Sequence, residues 1–370
     1  MPWQRVRALV VKELLALLKD KRSRFVLIVP PILQLLVFGY AATFDLDRVP
    51  YAIYDEDHST ASRRLAAAFG GSAMFEEVAV ISALGEIAPL IDSKRVLLVV
   101  HVGPRFTHDL LSGGSAPLQV IVDGRNSNTA LIALNYVGGI VDGFNQQWAL
   151  AAGLPGPPVH LETRAWFNPN LESRWFFLPG IAGVITLLVT LLVTALSVAR
   201  EREQGTFDQL LVTPLRPIEI LLGKALPGFI IGVAEATVII LVATLWFGIP
   251  LLGSLVALYV GLGVFLLSAV GVGLMISSLA VTQQQGLLDA FLFMVPAIIL
   301  SGFATPIANM PQAVQYITLL DPLRYFLIIV RSLFLEGVSL SVLWHELWPM
   351  ALIGLASLSA AGWLFRRRMY

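Results

Sequence analysis

Long runs of apolar residues dominate the chain, and their lengths predict its main elements. A helix needs about 20 mostly apolar residues to cross the hydrocarbon core of a bilayer, because its backbone groups must then bond to one another. Six segments meet or approach this length, which predicts six membrane-spanning helices. The segments are residues 25–44, 175–199, 225–247, 251–280, 287–303 and 347–364.

Residues 1–24, ahead of the first predicted span, have an amphipathic pattern. Apolar residues recur there at spacings of three and four with charges between them, which is typical of a helix with one apolar face. The apolar positions are Trp3, Val6, Val10, Leu14, Leu17 and Leu18. We expect this helix to lie in the membrane interface with its apolar face in lipid, and packing of that face on another protein is the alternative.

Charged and turn residues return between the first and second spans, over residues 45–174. The pattern predicts strands at 49–54, 75–81, 96–102 and 118–122 and helices at 61–69, 86–94, 106–111 and 128–150. Alternation of strands and helices is typical of a small α/β domain. A Pro/Gly-rich stretch, residues 153–158, is predicted to link it back to the membrane. The expected fold is therefore an all-α, six-helix membrane protein with an inserted external α/β domain.

The polar segment EREQGTFDQLLVTP lies between the second and third spans. Gly205 permits a sharp turn, and Thr206 with a glutamine three residues later is a capping-box arrangement that begins a helix. Thr213 and Pro214 end it, so we expect a short helix at about 206–213. Its apolar residues fall on one face, which indicates docking in a partner's groove, with lipid headgroups as the alternative. Those residues are Phe207, Leu210 and Leu211.

Composition agrees with a membrane protein, and charge predicts its orientation. Apolar residues make up 56% of the chain and charged residues 14%, with a mean hydropathy of +0.77. Basic residues are retained on the cytoplasmic side of a membrane. Seven Lys and Arg residues precede the first span, and residues 366–368 are all Arg. We expect both termini and residues 200 to about 224 in the cytoplasm, and residues 45–174 outside. The net charge is zero, so no nucleic-acid partner is indicated.

Motifs for catalysis by the chain itself are missing from the sequence. No phosphate-binding G-x-x-x-x-G-K-[ST] loop occurs. The stretch LLSGGS at 110–115 resembles the signature of ATP-binding-cassette ATPases, but it is predicted outside the membrane and Pro117 interrupts the helix that should follow. The five histidines lack metal-ligand spacing and cysteine is absent. We therefore expect no enzymatic activity, cofactor or metal in this chain.

Two motifs carry a resemblance to a known family. The pattern E-R-E-x-G-T, followed by Leu210-Leu211, Thr213-Pro214 and Gly223-Lys224, resembles the coupling segment of ABC-2 exporter permeases. These are membrane subunits of one class of ATP-binding-cassette exporters. The break Asp321-Pro322-Leu323-Arg324-Tyr325 resembles the family's polar break between two short helices, here at about 314–336, that enter the outer leaflet. The order of elements along the whole chain is similar to multidrug-type permeases of this family.

The resemblance implies an exporter subunit of a bacterial inner membrane. Two permeases, as identical copies or paralogues, would work with two ATPase subunits that bind the ATP and Mg, and with a periplasmic adaptor. An amphipathic or hydrophobic substrate, drug-like or lipid-like, would move outward. The implied ATPase contacts are Glu201, Arg202, Glu203, Gly205, Thr206, Phe207, Leu210, Leu211, Thr213 and Pro214. The implied contacts along the substrate path are Phe176, Phe177, Phe291, Phe293 and Phe303.

One carboxylate lies inside a predicted span. Glu235 is near the middle of the third span, where a buried charge costs on the order of several kcal/mol unless it is protonated or paired. It is a candidate for contact with substrate, for proton coupling or for the contact between permeases. A carboxyl hydrogen-bonded to a neighbouring polar side chain is the structural alternative. Two other functions stay open, a transporter driven by an ion gradient and a membrane-anchored ligand sensor.

Overall fold

The computed structural model describes residues 2–41, 46, 48–112, 115–151, 153, 167–168, 172–207 and 215–369. The chain folds as two compact units. One is Phe44–Arg164, and the other combines Met1–Thr43 with Ala165–Tyr370.

The described elements alternate between strand and helix in the first unit and are helical in the second. The strands are β1 Val49–Asp55, β2 Phe75–Ile81, β3 Leu98–Val102 and β4 Leu118–Val122. The helices are α1 Pro2–Lys19, α2 Lys21–Ala41, α3 Thr60–Gly70, α4 Ile87–Asp92, α5 Phe106–Leu111, α6 Ser127–Ala151, α7 Ser173–Glu203, α8 Pro217–Leu245, α9 Leu255–Leu279, α10 Gln283–Leu300, α11 Gln312–Thr318, α12 Pro322–Arg331 and α13 Leu340–Met369.

The unit Phe44–Arg164 is built on a four-stranded sheet in the order β2-β1-β3-β4. Strand β1 is parallel to β2 and β3, whereas β4 is antiparallel to β3. Strands β1 and β3 are apolar and buried along most of their length, as is typical of central strands covered on both faces. One face packs against Leu65, Phe69, Ala133 and Val137 of α3 and α6, and the other against Ile87 of α4. The strands and helices lie close to the positions that the sequence pattern predicts.

The second unit is a bundle of apolar helices. Five of its helices, α7, α8, α9, α10 and α13, are long and apolar enough to cross a membrane. A shorter apolar stretch, Leu27–Tyr40, lies within α2. The prediction of a mostly helical membrane protein is therefore confirmed. The membrane crossing at residues 25–44, the first along the chain, stays a prediction, as does the external location of the α/β unit.

Close approach of small residues holds the centre of this bundle together. Helices α7 and α9 are its most buried spans. A Cβ on Gly271 of α9 would lie 2.2 Å from the hydroxyl oxygen of Ser357 on α13, and a Cβ on Gly228 of α8 would lie 2.4 Å from the methyl carbon of Thr194 on α7. Only residues without a side chain permit such contacts, which are typical of packed membrane helices.

Two helices extend beyond the apolar spans predicted for them. Helix α7 continues past Ala199 through Glu203, so its charges belong to the helix rather than to a loop. Helix α8 begins at Pro217, eight residues before the predicted start of its span. Proline is favoured in the first helical turn, and the carboxylate of Glu219 accepts a hydrogen bond of 2.8 Å from the backbone N–H of Arg216. These local signals begin the helix before its apolar run.

The break between two short helices that the sequence predicts at Asp321-Pro322 is present. Helix α11 ends at Thr318, and α12 begins after Asp321, whose Oδ1 accepts a hydrogen bond of 3.0 Å from the backbone N–H of Leu323. Arg324 donates to the hydroxyl of Thr318 across the break. A π-helical turn, Ser332–Glu336, follows α12 directly. The location of these helices in the outer leaflet stays a prediction.

Candidate coupling site

Helix α1 packs on α8 through one continuous face. The buried residues of α1 recur at helical spacing and include an acidic one. They are Val6, Leu9, Val10, Glu13 and Leu17. A Cβ on Gly223 of α8 would lie 2.8 Å from the Cβ of Leu9, so this glycine lets the two helices meet. The prediction that the apolar face of residues 1–24 lies in lipid is therefore wrong for this face.

Two predicted members of the apolar face are not on it. Trp3 is 69% exposed and Leu18 is 52% exposed, whereas Glu13, which the pattern treated as polar surface, is 9% exposed. The buried face is rotated because Glu13 has a buried partner on another helix. The spacing of apolar residues alone does not reveal that an acidic residue is paired with a buried cation.

The partner of Glu13 is the ammonium group of Lys224, which is buried between three helices. Lys224 Nζ donates a 2.7 Å hydrogen bond to Oε1 of Glu13 on α1 and lies 2.7 Å from Oε2 of Glu201 on α7. It also donates to the backbone carbonyl of Ser197 at 3.3 Å. The side chain of Lys224 is 1% exposed. Its polar neighbours are thus two carboxylates and a carbonyl, the kind of surroundings that a buried ammonium requires.

A second lysine completes this group. Lys12 Nζ donates a 2.7 Å hydrogen bond to Oε1 of Glu201 and lies 3.7 Å from Glu13. Burial disfavours the charged form of Lys12, but the hydrogen bond and charge of Glu201 outweigh it, so the pKa of Lys12 is raised. We call Lys12, Glu13, Glu201 and Lys224 the ionic cluster. Two acids and two bases make it neutral, and it joins α1, α7 and α8 immediately before the predicted coupling segment.

The other charges at the end of α7 also have partners within the chain. Arg202 Nη1 donates to the carbonyls of Ser278 at 3.0 Å and Ala280 at 3.2 Å. Glu203 Oε2 accepts from the backbone N–H of Gln283 at 2.8 Å. These contacts fix the end of α7 to the connection between α9 and α10. Glu201 itself is 6% exposed, and its contact with an ATPase stays a prediction.

The chain turns directly after α7, as the sequence predicts for Gly205. The φ angle of Gly205 is +68°, a region that favours glycine. Thr206 donates its hydroxyl to the carbonyl of Glu201 at 3.3 Å. Phe207 is 7% exposed and packs against Val198, Ile220 and Phe365, and its contact with an ATPase stays a prediction. Leu210, Leu211, Thr213 and Pro214 lie outside the described residues, and their contact with an ATPase stays a prediction.

Glu235 lies buried inside α8 without a hydrogen-bond partner among the described residues. Both of its carboxylate oxygens lack one, as do the hydroxyls of Thr186 and Thr190 on α7. One turn before Glu235, a Cβ on Gly232 would lie 2.5 Å from the hydroxyl oxygen of Thr190, which places these helices in direct contact. The alternative of a carboxyl hydrogen-bonded to a neighbouring side chain finds no such partner among the described residues, and the role of Glu235 stays a prediction.

The phenylalanines predicted along a substrate path separate into two groups. Phe176, Phe177 and Phe303 form a chain of edge-to-face contacts at the start of α7, with ring centroids 5.4 Å and 6.1 Å apart. Phe291 on α10 is 42% exposed and shares its face with other exposed apolar residues, whereas Phe293 packs against the core. Their contact with a substrate stays a prediction.

Sequence reasoning did not identify three charged residues as functional. Glu13 and Lys12 were part of the amphipathic pattern, and Lys224 was only part of the Gly223-Lys224 motif. The signal for Glu13 was its spacing, three residues after Val10 and four before Leu17. A fourth, Arg331, ends α12 and stacks on Phe176.

Comparison with known proteins supports the resemblance. The sequence profile of the ABC-2 family transporter proteins matches residues 21–363. The probable multidrug ABC transporter permease YbhR of Escherichia coli K12 is 42% identical over 368 residues, which cover 99% of this chain and 100% of the relative. The probable multidrug ABC transporter permease YbhS of the same organism is 35% identical, covering 90% and 89% of the two chains. The inner membrane transport permease YhhJ is 30% identical, covering 96% of both.

Proposed function

The chain belongs to the ABC-2 family of transporter proteins, and from this premise we propose that it is the permease subunit of an ATP-driven exporter. A separate ATPase subunit docks on the segment at about 206–213 and supplies the energy of ATP hydrolysis. This chain supplies the path across the membrane. The observation that carries the proposal is the ionic cluster, which ties three helices together where that segment leaves α7.

The ionic cluster makes the base of the segment rigid enough to transmit a movement. Glu201 and Lys224 stand on the two helices that flank the segment, and Glu13 and Lys12 fasten α1 to both. A push on the segment therefore moves α7, α8 and α1 together. Because α7 continues as one helix from Ser173 to Glu203, a displacement at its charged end also reaches the aromatic group at the other end.

The substrate that this architecture suits is amphipathic or hydrophobic. The outer face of α10 presents a row of exposed apolar side chains at helical spacing. They are Leu288, Leu292, Val295 and Ile299. Two relatives carry the word multidrug in their names, which agrees with such a substrate. A second copy or a paralogue would close the path from the opposite side, and a periplasmic adaptor would receive the substrate outside.

The location follows from the charge distribution and from the relatives. One relative is named as an inner membrane permease. We propose the bacterial inner membrane for this chain, with both termini in the cytoplasm and the unit Phe44–Arg164 outside. ATP and Mg bind to the partner ATPase, and this chain performs no hydrolysis of its own.

A transporter driven by an ion gradient is the second candidate, because of one observation. Glu235 is a carboxylate with no partner in the described part of the chain, and such groups act in proton relays of other transporters. A dependence of transport on the proton gradient in the absence of any ATPase would favour this candidate.

Co-purification tests the proposed function. The permease is expressed with its neighbouring genes, as wild type and as Leu210→Asp with Leu211→Asp, and the ATPase that accompanies it is quantified. We expect the wild type to retain an ATPase and the double variant to lose it, since two carboxylates oppose burial in an apolar groove. Leu111→Asp is the matched control, because Leu111 is 73% exposed in the other unit. Equal retention by the double variant would contradict docking on this segment.

A further inference from the structure

Arg331 is a guanidinium that lacks a counterion within the described part of the chain. Its Nε and Nη2 atoms are buried and have no hydrogen-bond partner there. A buried charge without a partner is unfavourable, and guanidinium groups in proteins normally donate to a carboxylate, phosphate or carbonyl. The residue as a whole is only half-buried, and Nη1 is not among its buried atoms, so another molecule can reach the guanidinium at Nη1.

An aromatic ring stacks on this guanidinium. Its Cζ lies 3.8 Å from the ring centroid of Phe176, well within the range of a cation–π contact. A Cβ on Gly180 would lie 3.3 Å from Nη2 of Arg331 and 2.9 Å from the ring of Phe303, so this glycine leaves space for both groups. One flat face of the guanidinium is covered by a ring, and Nη1 is the nitrogen whose N–H groups stay accessible.

The backbone directly after Arg331 is also unusual. Arg331 is the last residue of α12 and directly precedes the π-helical turn Ser332–Glu336. Gly337 ends this turn with a φ of +66°. Such turns inside helical segments are rare and frequently occur at functional sites.

The site lies at the end of α7 opposite the ionic cluster. Phe176 is in the first turn of α7, and Glu201 is in the last. A helix rises about 1.5 Å per residue, so the two are separated by roughly 40 Å, the thickness of a membrane. With the ionic cluster on the cytoplasmic side, Arg331 stands at the external end, where an exported molecule leaves.

We propose that Arg331 and Phe176 bind the oxyanion of an amphipathic molecule, a phosphate or carboxylate attached to hydrocarbon. Nη1 of the guanidinium donates charge-assisted hydrogen bonds to the oxyanion, and the rings of Phe176 and Phe303 contact the hydrocarbon. The oxyanion comes either from a membrane phospholipid or from the exported molecule itself. The second source rests on the proposed function and assigns it a substrate class, amphipathic anions.

Binding of dodecyl phosphate to the purified full chain in a neutral maltoside detergent tests the proposal without any ATPase. We expect Arg331→Gln to weaken this binding at least about tenfold, since charge-assisted hydrogen bonds are lost. Arg331→Lys keeps the charge but loses the planar fork, so its affinity falls between the two. Arg367→Gln is the matched control, because Arg367 also stacks on a ring, that of Trp363 at 4.3 Å, near the opposite end of the bundle.

Two further measurements distinguish the sources of the oxyanion. If native mass spectrometry detects phosphatidylglycerol on the wild type and not on Arg331→Gln, the site holds a lipid. If dodecyl phosphate stimulates the co-purified ATPase of the wild type only, the site acts on the exported molecule. Unchanged dodecyl phosphate binding by Arg331→Gln would overturn the proposal, and so would equal losses in Arg331→Gln and Arg367→Gln. Because binding is measured on the permease alone, its failure is distinct from failure of ATPase docking.

Discussion

Lys224 provides a sensitive test of the ionic cluster because it is buried against two carboxylates. Its side chain is 1% exposed, and Nζ lies 2.7 Å from an oxygen of Glu13 and 2.7 Å from an oxygen of Glu201. Lys224→Met keeps the apolar stem but leaves both carboxylates without their shared cation. Removal of one partner from a buried ion pair costs about 3–5 kcal/mol, whereas an exposed pair contributes about 0.2–1 kcal/mol.

Thermal unfolding of the full chain in detergent measures this loss. One kcal/mol shifts the melting temperature of a domain of about 150–250 residues by about 2–4 °C, and the unit that contains Lys224, Met1–Thr43 with Ala165–Tyr370, is at the upper end of this size range. We therefore expect Lys224→Met to lower the melting temperature of this unit by at least about 6 °C. Lys12→Met is the matched control, because Lys12 contacts the same Glu201 but its side chain is 54% exposed. We expect a shift of about 2 °C or less for this control.

A triple variant shows whether the cost comes from unpaired charge. The variant combines Lys224→Met with Glu13→Gln and Glu201→Gln, and so removes the two carboxylates that Lys224→Met leaves without their lysine. Buried ion pairs can be replaced by neutral groups with little loss of stability. We expect it to recover most of the lost melting temperature. The reasoning is refuted if Lys224→Met unfolds at the wild-type temperature, or if the triple variant is less stable than the single one.

Three other changes test separate parts of the structure. Burial lowers the pKa of His101, but hydrogen bonds to Gln119 and Glu56 outweigh it and raise the pKa above 6.5. The hydrogen bond to His101 lowers the pKa of Glu56 below 4.5. The contribution of His101 to the free energy of unfolding is present below pH 6.5 and is lost as the pH rises through its folded pKa. The contribution of Glu56 is present above pH 4.5 and is lost as the pH falls through the folded pKa of that residue. Thermal unfolding should therefore show this pair's greatest contribution between pH 4.5 and 6.5, and His101→Gln should remove the decline above pH 6.5. Asp321→Ala should cost about 1 kcal/mol through loss of the cap on α12, whereas Asp321→Asn keeps the acceptor and should restore it; equal melting temperatures would exclude the cap. Gly223→Ala should separate α1 from α8 and expose α1 to limited proteolysis, because its Cβ would meet that of Leu9 at 2.8 Å, whereas Gly263→Ala has an ordinary contact of 3.9 Å and should not.

Local patterns in the sequence predict the elements of the fold well. Long apolar runs locate α7 to α10 and α13 because a spanning helix must satisfy its backbone within an apolar solvent. Strand alternation locates β1 to β4. The positive φ of Gly205 is also predictable, since a turn after a charged helix end needs it.

The site depends on pairings that no local pattern contains. Glu13 and Lys224 are 211 positions apart, and their contact is what rotates the buried face of α1 and places a lysine inside the bundle. Glu201 lies within the family-like motif, yet its buried carboxylate faces α1 and α8 rather than a partner. Arg331 gave no signal because an arginine at the end of a short helix is ordinary until its neighbours are known. Such features follow from tertiary packing.

ATP-dependent transport in liposomes is the measurement that bears most directly on the proposed function. The chain is reconstituted with the ATPase that co-purifies with it, and export of a hydrophobic fluorescent dye is followed with and without ATP. We expect transport that requires ATP, persists with a protonophore and is abolished by Leu210→Asp with Leu211→Asp. Transport by the chain alone, driven by an imposed proton gradient and lost in Glu235→Gln, would contradict an ATP-driven exporter.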